Sequence, residues 1–212
     1  MNADRRVTEE RSVPPFHSVI FKAVGTIQLK QGTPQSVHVE APVRALPRIL
    51  TEVKRGTLSV TMKKWAIFYM SNVTLHITME DIRCLLISGA GTIECSEPLR
   101  VDCLELTVSG AGKFKLHLDT ENLNSLLSGV GYIELFGKTG FHNVMLSGAG
   151  RIDSSELVAK KGSVHSSGVG TCTVNVSDEL DVHMSGVGKV LFRGKPRLKQ
   201  HITGLGRLEA ID

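Results

Sequence analysis

The sequence predicts an all-β protein: a parallel β-helix or solenoid of about seven coils with a β-rich cap at its N-terminal end. Three observations carry this expectation. A short glycine motif recurs at a nearly fixed period, apolar and polar residues alternate strictly on both sides of each copy, and no 3.6-residue period appears along the repeats. The motif reads Ser/Thr-Gly-small-Gly and begins at Ser88, Ser109, Ser128, Ser147, Ser167, Ser185 and Thr203, with spacings of 21, 19, 19, 20, 18 and 18 residues. A repeat of this length is too short for a helical crossover between parallel strands. One coil per repeat, stacked about 4.8 Å apart with equivalent residues in columns, is the economical solution.

The motif consumes 14 of the 21 glycines. These are Gly89, Gly91, Gly110, Gly112, Gly129, Gly131, Gly148, Gly150, Gly168, Gly170, Gly186, Gly188, Gly204 and Gly206, and they read as structural residues at the corner of each coil. A nucleotide-binding loop needs one such turn between a strand and a long helix, whereas here there are seven turns and no helical pattern. The residue between the glycines is always Ala, Val or Leu and is expected to point inward. The motif serines read as a hydroxyl ladder bonding the corner backbone. Two residues past each second glycine stand Ile93, Phe114, Ile133, Ile152, Cys172, Val190 and Leu208, a predicted buried column.

Taken in order, residues 1–12 are expected to be disordered. Residues 13–82 form an N-terminal β cap continuous with the solenoid, with alternating segments at Val19–Leu29, Ser36–Glu40, Thr57–Met62 and Val73–Met79 and turn signals at Gln31–Pro34 and Arg55-Gly56. Ala23-Val24-Gly25-Thr26-Ile27 is a weak echo of the motif. Arg44–Lys54 reads as a short helix interrupted by Pro47. Residues 83–212 are the repeat solenoid.

Composition narrows the function classes. The 212 residues include 25 basic and 21 acidic side chains, interleaved, so the net charge of +4 gives no reason to expect nucleic-acid binding. No stretch approaches the apolar length of a membrane-spanning helix. The polar stretch Met1–Arg11 has no apolar core of the secretory kind, which leaves either a cytoplasmic protein or an exported one whose signal has been removed. Cys84, Cys95, Cys103 and Cys172 lack metal-type spacing and read as small buried apolar residues.

The serial Ser-Gly-x-Gly-x-Ile-Glu/Asp units, together with Phe16-His17-Ser18-Val19 leading into Gly25 and Gln31-Gly32, Ser36–Glu40 and Gly56–Val60, resemble the auto-transporter adhesin family with a head GIN domain. The resemblance spans about residues 13–210 and implies a bacterial, parallel β-helical protein with adhesion-like function, commonly exported. It implies no catalytic motif.

Three sets of residues are candidate sites. Counting two residues back from each motif serine gives an outward column of Leu86, Thr107, Leu126, Met145, His165, His183 and His201. Its apolar half, Leu86, Leu126 and Met145, is a candidate interface for a homo-oligomer. The three histidines could bind a metal or, once protonated, an anion, although a plain surface ladder is the simpler reading. Glu134 and Asp153 are predicted stacked neighbours, resembling a cation site or a glycosidase pair, but Lys113, Lys115 and Arg151 should neutralise them. No GxSxG elbow or fixed His and Asp partner accompanies the serines, and no cofactor is expected. The sequence therefore favours a non-catalytic binding or adhesion-like surface module for a carbohydrate, lipid or protein. A polysaccharide hydrolase or lyase is the alternative, and a structural spacer the third reading.

Overall fold

Parallel in-register pairing of the repeats organises the chain. The computed structural model describes residues 5–63 and 73–211. Its strands are β1 (Arg6–Glu10), β2 (Ser18–Phe21), β3 (Val24–Gln31), β4 (Ser36–Pro42), β5 (Ile49–Lys54), β6 (Thr57–Met62), β7 (Thr74–Met79), β8 (Cys84–Ile87), β9 (Ala90–Val108), β10 (Ala111–Leu127), β11 (Val130–Leu146), β12 (Ala149–Ser166), β13 (Val169–Met184), β14 (Val187–Arg193), β15 (Arg197–Ile202) and β16 (Arg207–Ala210). They form one continuous sheet wound into a β-solenoid of about seven turns. No helix among the described residues is long and apolar enough to cross a membrane.

β9 to β13 each run from one glycine corner to the next, because the chain bends between corners without leaving the ladder. One such bend falls at Glu121 and Asn122, where two consecutive side chains are exposed and the alternation slips by one. The same slip exposes Cys103, against the expectation that all four cysteines are buried; Cys95 and Cys172 are buried and Cys84 half-buried. Burial pushes the Cys172 thiol up to about 12.

The predicted column is the core. Phe114 pairs with Ile133, Ile133 with Ile152, Ile152 with Cys172 and Cys172 with Val190. These residues and Ile93 are fully buried, while Leu208 on the last coil is partly so. The residue between the glycines corrects the sequence reading: Val130, Val169, Val187 and Leu205 are 63%, 60%, 51% and 83% exposed. The glycines themselves meet the neighbouring coil. A Cβ on Gly129 would stand 2.1 Å from the Gly110 carbonyl oxygen, and one on Gly131 2.1 Å from that of Gly112. With both glycines directed at the coil beside them, alternation sends the residue between them outward.

Repeat-length variation is absorbed mainly at one place, with a further shift at Ala159/Lys161 between β12 and β13. Leu116 and Leu118 face Cys95 and Leu99, two extra residues in the earlier coil, and the shifts at Glu134/Phe136 and Ser154/Val158 lie in the same part of their coils. The motif corners stay in register throughout.

The N-terminal region departs from sequence order. The echo motif pairs as a true copy, with Val24, Gly25, Thr26 and Ile27 opposite Ala90, Gly91, Thr92 and Ile93. The later strands β6 and β7 lie on the far side of β2 and β3, so Thr57–Met62 and Thr74–Met79 form the outermost parallel layer. Antiparallel strands close that end: β4 on β7, β5 on β6, and β1 on β4. Two expectations are corrected here. Arg6–Glu10 is a strand where disorder is expected, because β4 offers it a free edge. Arg44–Lys54 is a three-residue 3-10 turn at Leu46–Arg48 followed by β5, since Pro47 cannot continue a helix and Ile49–Lys54 pairs with β6. The apolar run Trp65–Met70, which the sequence reading sets near the strip of Leu86, Leu126 and Met145, lies outside the described residues.

The core holds one buried imidazole. His142 is 2% exposed, occupies the column between Leu123 and Gly162, and shares a 3.0 Å hydrogen bond with the Ser125 hydroxyl. Burial lowers its pKa from 6.5 to about 3. The unfolded chain therefore takes up a proton below pH 6.5 that the folded one refuses, and stability falls as pH drops from about 6.5 toward 3, approaching ~1.4 kcal/mol per pH unit. Denaturant titrations between pH 7 and 5 are expected to show this slope in the wild type and a flatter one in His142→Leu. Ile133→Asp is expected to cost more than ~4 kcal/mol by burying an unpaired carboxylate, read as loss of the cooperative melt in circular dichroism.

Candidate functional site

Outward columns on either side of the glycine corner carry the candidate side chains. On the side before it, the predicted column exists: Leu86 pairs with Thr107, then Leu126, Met145, His165, His183 and His201 follow coil by coil. The rings of His165 and His183 stack 4.9 Å apart and within 7° of parallel, and His201 follows at 5.9 Å. Asp181 stands 3.2 Å from His183 Nε2. No group of His, Cys, Asp and Glu among the described residues is arranged to hold a metal ion. The parallel stacking of His165 and His183 keeps their nitrogens in separate planes, and the His201 ring is tilted by 47° to the second. Beside the ladder, Lys161 and Arg197 both pair with Glu179. These residues, with Asp181, Lys199 and Phe141, line a shallow groove in which both signs of charge alternate.

Leu86 and Leu126 are half-buried and Met145 is 37% exposed, so this strip remains on the outer face among the described residues. Beyond the serine column runs a second apolar line that the sequence reading turned inward, comprising Ala90, Ala111, Val130, Ala149, Val169, Val187 and Leu205. Its signal was present as an invariant apolar residue between two glycines. Only the contact of those glycines with the next coil reveals which way it faces. The serine hydroxyls bond the corner weakly, with Ser128 and Thr203 each 3.4 Å from a carbonyl of the previous coil. Backbone N–H groups do that work at 2.9 to 3.2 Å, as from Ser128, Gly129 and Val130 to Val108 and Gly110.

On the side after the corner, Glu94, Lys115, Glu134 and Asp153 form the expected ladder. Lys113 and Lys115 stand 3.7 and 4.0 Å from Glu134, and Arg151 is 2.6 Å from Asp153. Burial raises the Asp153 carboxyl, but the Ser155 hydroxyl and backbone N–H and the Arg151 guanidinium outweigh it and hold the group below its ordinary range. Asp153 is thereby kept ionised, the opposite of what a general acid for glycoside cleavage requires. Thr173, next in the column, is buried rather than outward.

A cleft missed by the sequence reading opens beside this ladder. It has a volume of about 490 Å³ and is lined by Gln28, Glu94, Cys95, Ser96, Lys115, His117 and Phe136. Its cause is local: the two extra residues after Cys95 turn Ser96, Glu97 and Pro98 outward while the next two coils, β10 and β11, stay in register with each other. Phe136 is half-buried on the outer face, with the His117 ring 4.9 Å and the Lys115 ammonium 5.9 Å from its centre. Gln28 donates a hydrogen bond to Glu94 across the coils. An aromatic ring, an amide, a carboxylate, a hydroxyl and an ammonium thus border one opening. The signal available in sequence was the 21-residue spacing of the first two motif copies.

Regular outward columns on a parallel ladder define the class: a β-solenoid repeat protein. The chain belongs to the family described as putative auto-transporter adhesin, head GIN domain, whose model matches residues 15–196. No curated protein matches it. Among solved structures it is similar to a putative adhesin from Bacteroides fragilis, at 24% identity and a TM-score of 0.91, covering 98% of this chain and 97% of that one. It is also similar to a protein from Parabacteroides distasonis described as a putative lipid binding protein, at 21% identity and a TM-score of 0.75, covering 100% and 98%. A putative adhesin from Parabacteroides merdae shares 15% identity at a TM-score of 0.73, covering 98% and 97%.

Proposed function

We propose that the chain is a non-catalytic, adhesion-like binding module that engages a carbohydrate in the cleft beside Phe136. The observation that carries this reading is the pairing of an outward aromatic ring with planar polar side chains around one opening. A pyranose offers an apolar C–H face to an aromatic ring and hydroxyls at its rim to donors and acceptors. Phe136 supplies the ring, while Gln28, Glu94, Ser96, Lys115 and His117 supply the rim. The cleft falls within the size range of small-ligand sites. Membership in an adhesin family supports binding over turnover.

The apolar line through Val130, Val169, Val187 and Leu205 favours a second reading, contact with a lipid or an apolar protein surface. The similarity to a protein described as lipid binding agrees with it.

A panel of soluble polysaccharides, followed by calorimetry on the best, tests the carbohydrate reading. Wild type is expected to retain at least one glycan. Phe136→Ala is expected to weaken it by about tenfold or more, ~1.4 kcal/mol, with little change in melting temperature. A variant that binds as the wild type does would move the site elsewhere, and turnover dependent on Glu134 or Asp153 would replace the module by an enzyme.

A further inference from the structure

The two ends of the solenoid are finished differently. At the N-terminal end, antiparallel β1, β4 and β5 close the stack, with Leu46 and Ile49 6% and 1% exposed beneath the chain. At the other end three core columns run out uncovered among the described residues. Leu180 is 1% exposed but its successor Leu198 is 40%; Met184 is 2% but Ile202 is 37%; Val190 is 0% while Leu208 is only partly buried. Leu205, at the same coil's corner, is 83% exposed. Among the described residues β15 pairs with β13 alone and β16 with β14 alone, so each presents a free edge. An unpaired edge beside exposed core residues is a template for another strand.

The two edges are not equivalent. β15 carries Arg197, Lys199 and His201, and a second β15 laid against it would set basic side chains together. β16 reads Arg207-Leu208-Glu209-Ala210. Laid antiparallel on itself and centred on Leu208, it places Arg207 opposite the partner's Glu209 and leucine opposite leucine. A two-fold axis through the end of the solenoid reverses the direction of winding, so two copies meeting there are antiparallel as this pairing requires. Such a contact is self-complementary and closes as a dimer rather than growing into a fibre.

We infer that the C-terminal coil is a self-association surface on which a second copy of this chain docks tail to tail, its β16 extending the sheet across the two-fold axis. Charge favours this occupant: Arg207 and Glu209, the latter 3.9 Å from Lys189 in its own chain, suit the same strand reversed, whereas β15 sets the basic Lys199 and His201 toward its own copy. This surface is separate from the Phe136 cleft and does not depend on what that cleft binds.

Light scattering coupled to size exclusion tests it on residues 1–212, with circular dichroism melts as the check on folding. Wild type is expected to be a dimer at micromolar concentration. Arg207→Glu and Glu209→Arg each set like charges across the axis and are expected to weaken the dimer at least tenfold. The double exchange restores the opposite-charge pairs and is expected to recover it. Leu126→Lys, on the flank, is expected to leave the dimer intact. A monomeric wild type, or a dimer indifferent to Arg207→Glu, would overturn the inference. Folded single variants whose defect the double exchange fails to repair would also overturn it, as would a dimer broken by Leu126→Lys.

Discussion

The close axial approach of successive coils at the glycine corner is the constraint on which the rest depends. At that corner the chain turns without interrupting its parallel hydrogen bonds: Ser109, Ala111, Ser128 and Val130 each donate a 2.9 Å bond to the previous coil. Keeping those bonds through a turn brings each carbonyl to where the next coil's Cβ would be, and only glycine lacks that atom. Two glycines per corner follow, and so does the outward side chain between them. Because the corner cannot vary, it sets the phase of every column on both sides, from the buried Ile93-to-Val190 stack to the histidine ladder.

Variation is displaced to where the backbone can accept it. The extra residues after Cys95 and the shifts near Phe136 and Ser154 all occur after the corner-proximal strand segment, where a bulge costs a few ladder bonds but leaves the core column intact. The same displacement opens the Phe136 cleft. A site formed by bulging a flank can differ between members of a fold while the scaffold stays constant. The flat remainder of that face is a charge ladder in which Lys113 and Lys115 reach Glu134 on the next coil and Arg151 pairs with Asp153 on its own.

Ends are the weak point of any stacked repeat, since each coil is buried by its neighbours and the last has only one. The N-terminal end is closed by reversing strand direction, which sets β1, β4 and β5 antiparallel to the strands they cover. The C-terminal end has basic residues on β15 and a self-complementary pair on β16. The interior tolerates little polarity by comparison; His142 sits there as a neutral ring that shares a hydrogen bond with Ser125.

By itself the sequence determined the repeat, the solenoid, the coil register and the identity of the main buried column, because period-two alternation and a fixed glycine corner are local signals repeated seven times. It also placed Leu86, Met145 and His165 in one outward column, since counting from an invariant corner is enough to align coils. Tertiary structure decided what repetition does not encode. The placement of β6 and β7 outside β2 and β3 depends on which strands find a free edge, not on their order in the chain. The direction of Val130 and its equivalents depends on a carbonyl contact between coils. The Phe136 cleft depends on two residues that one coil has and its neighbours lack, and a difference between neighbouring coils takes spatial form only once they are stacked.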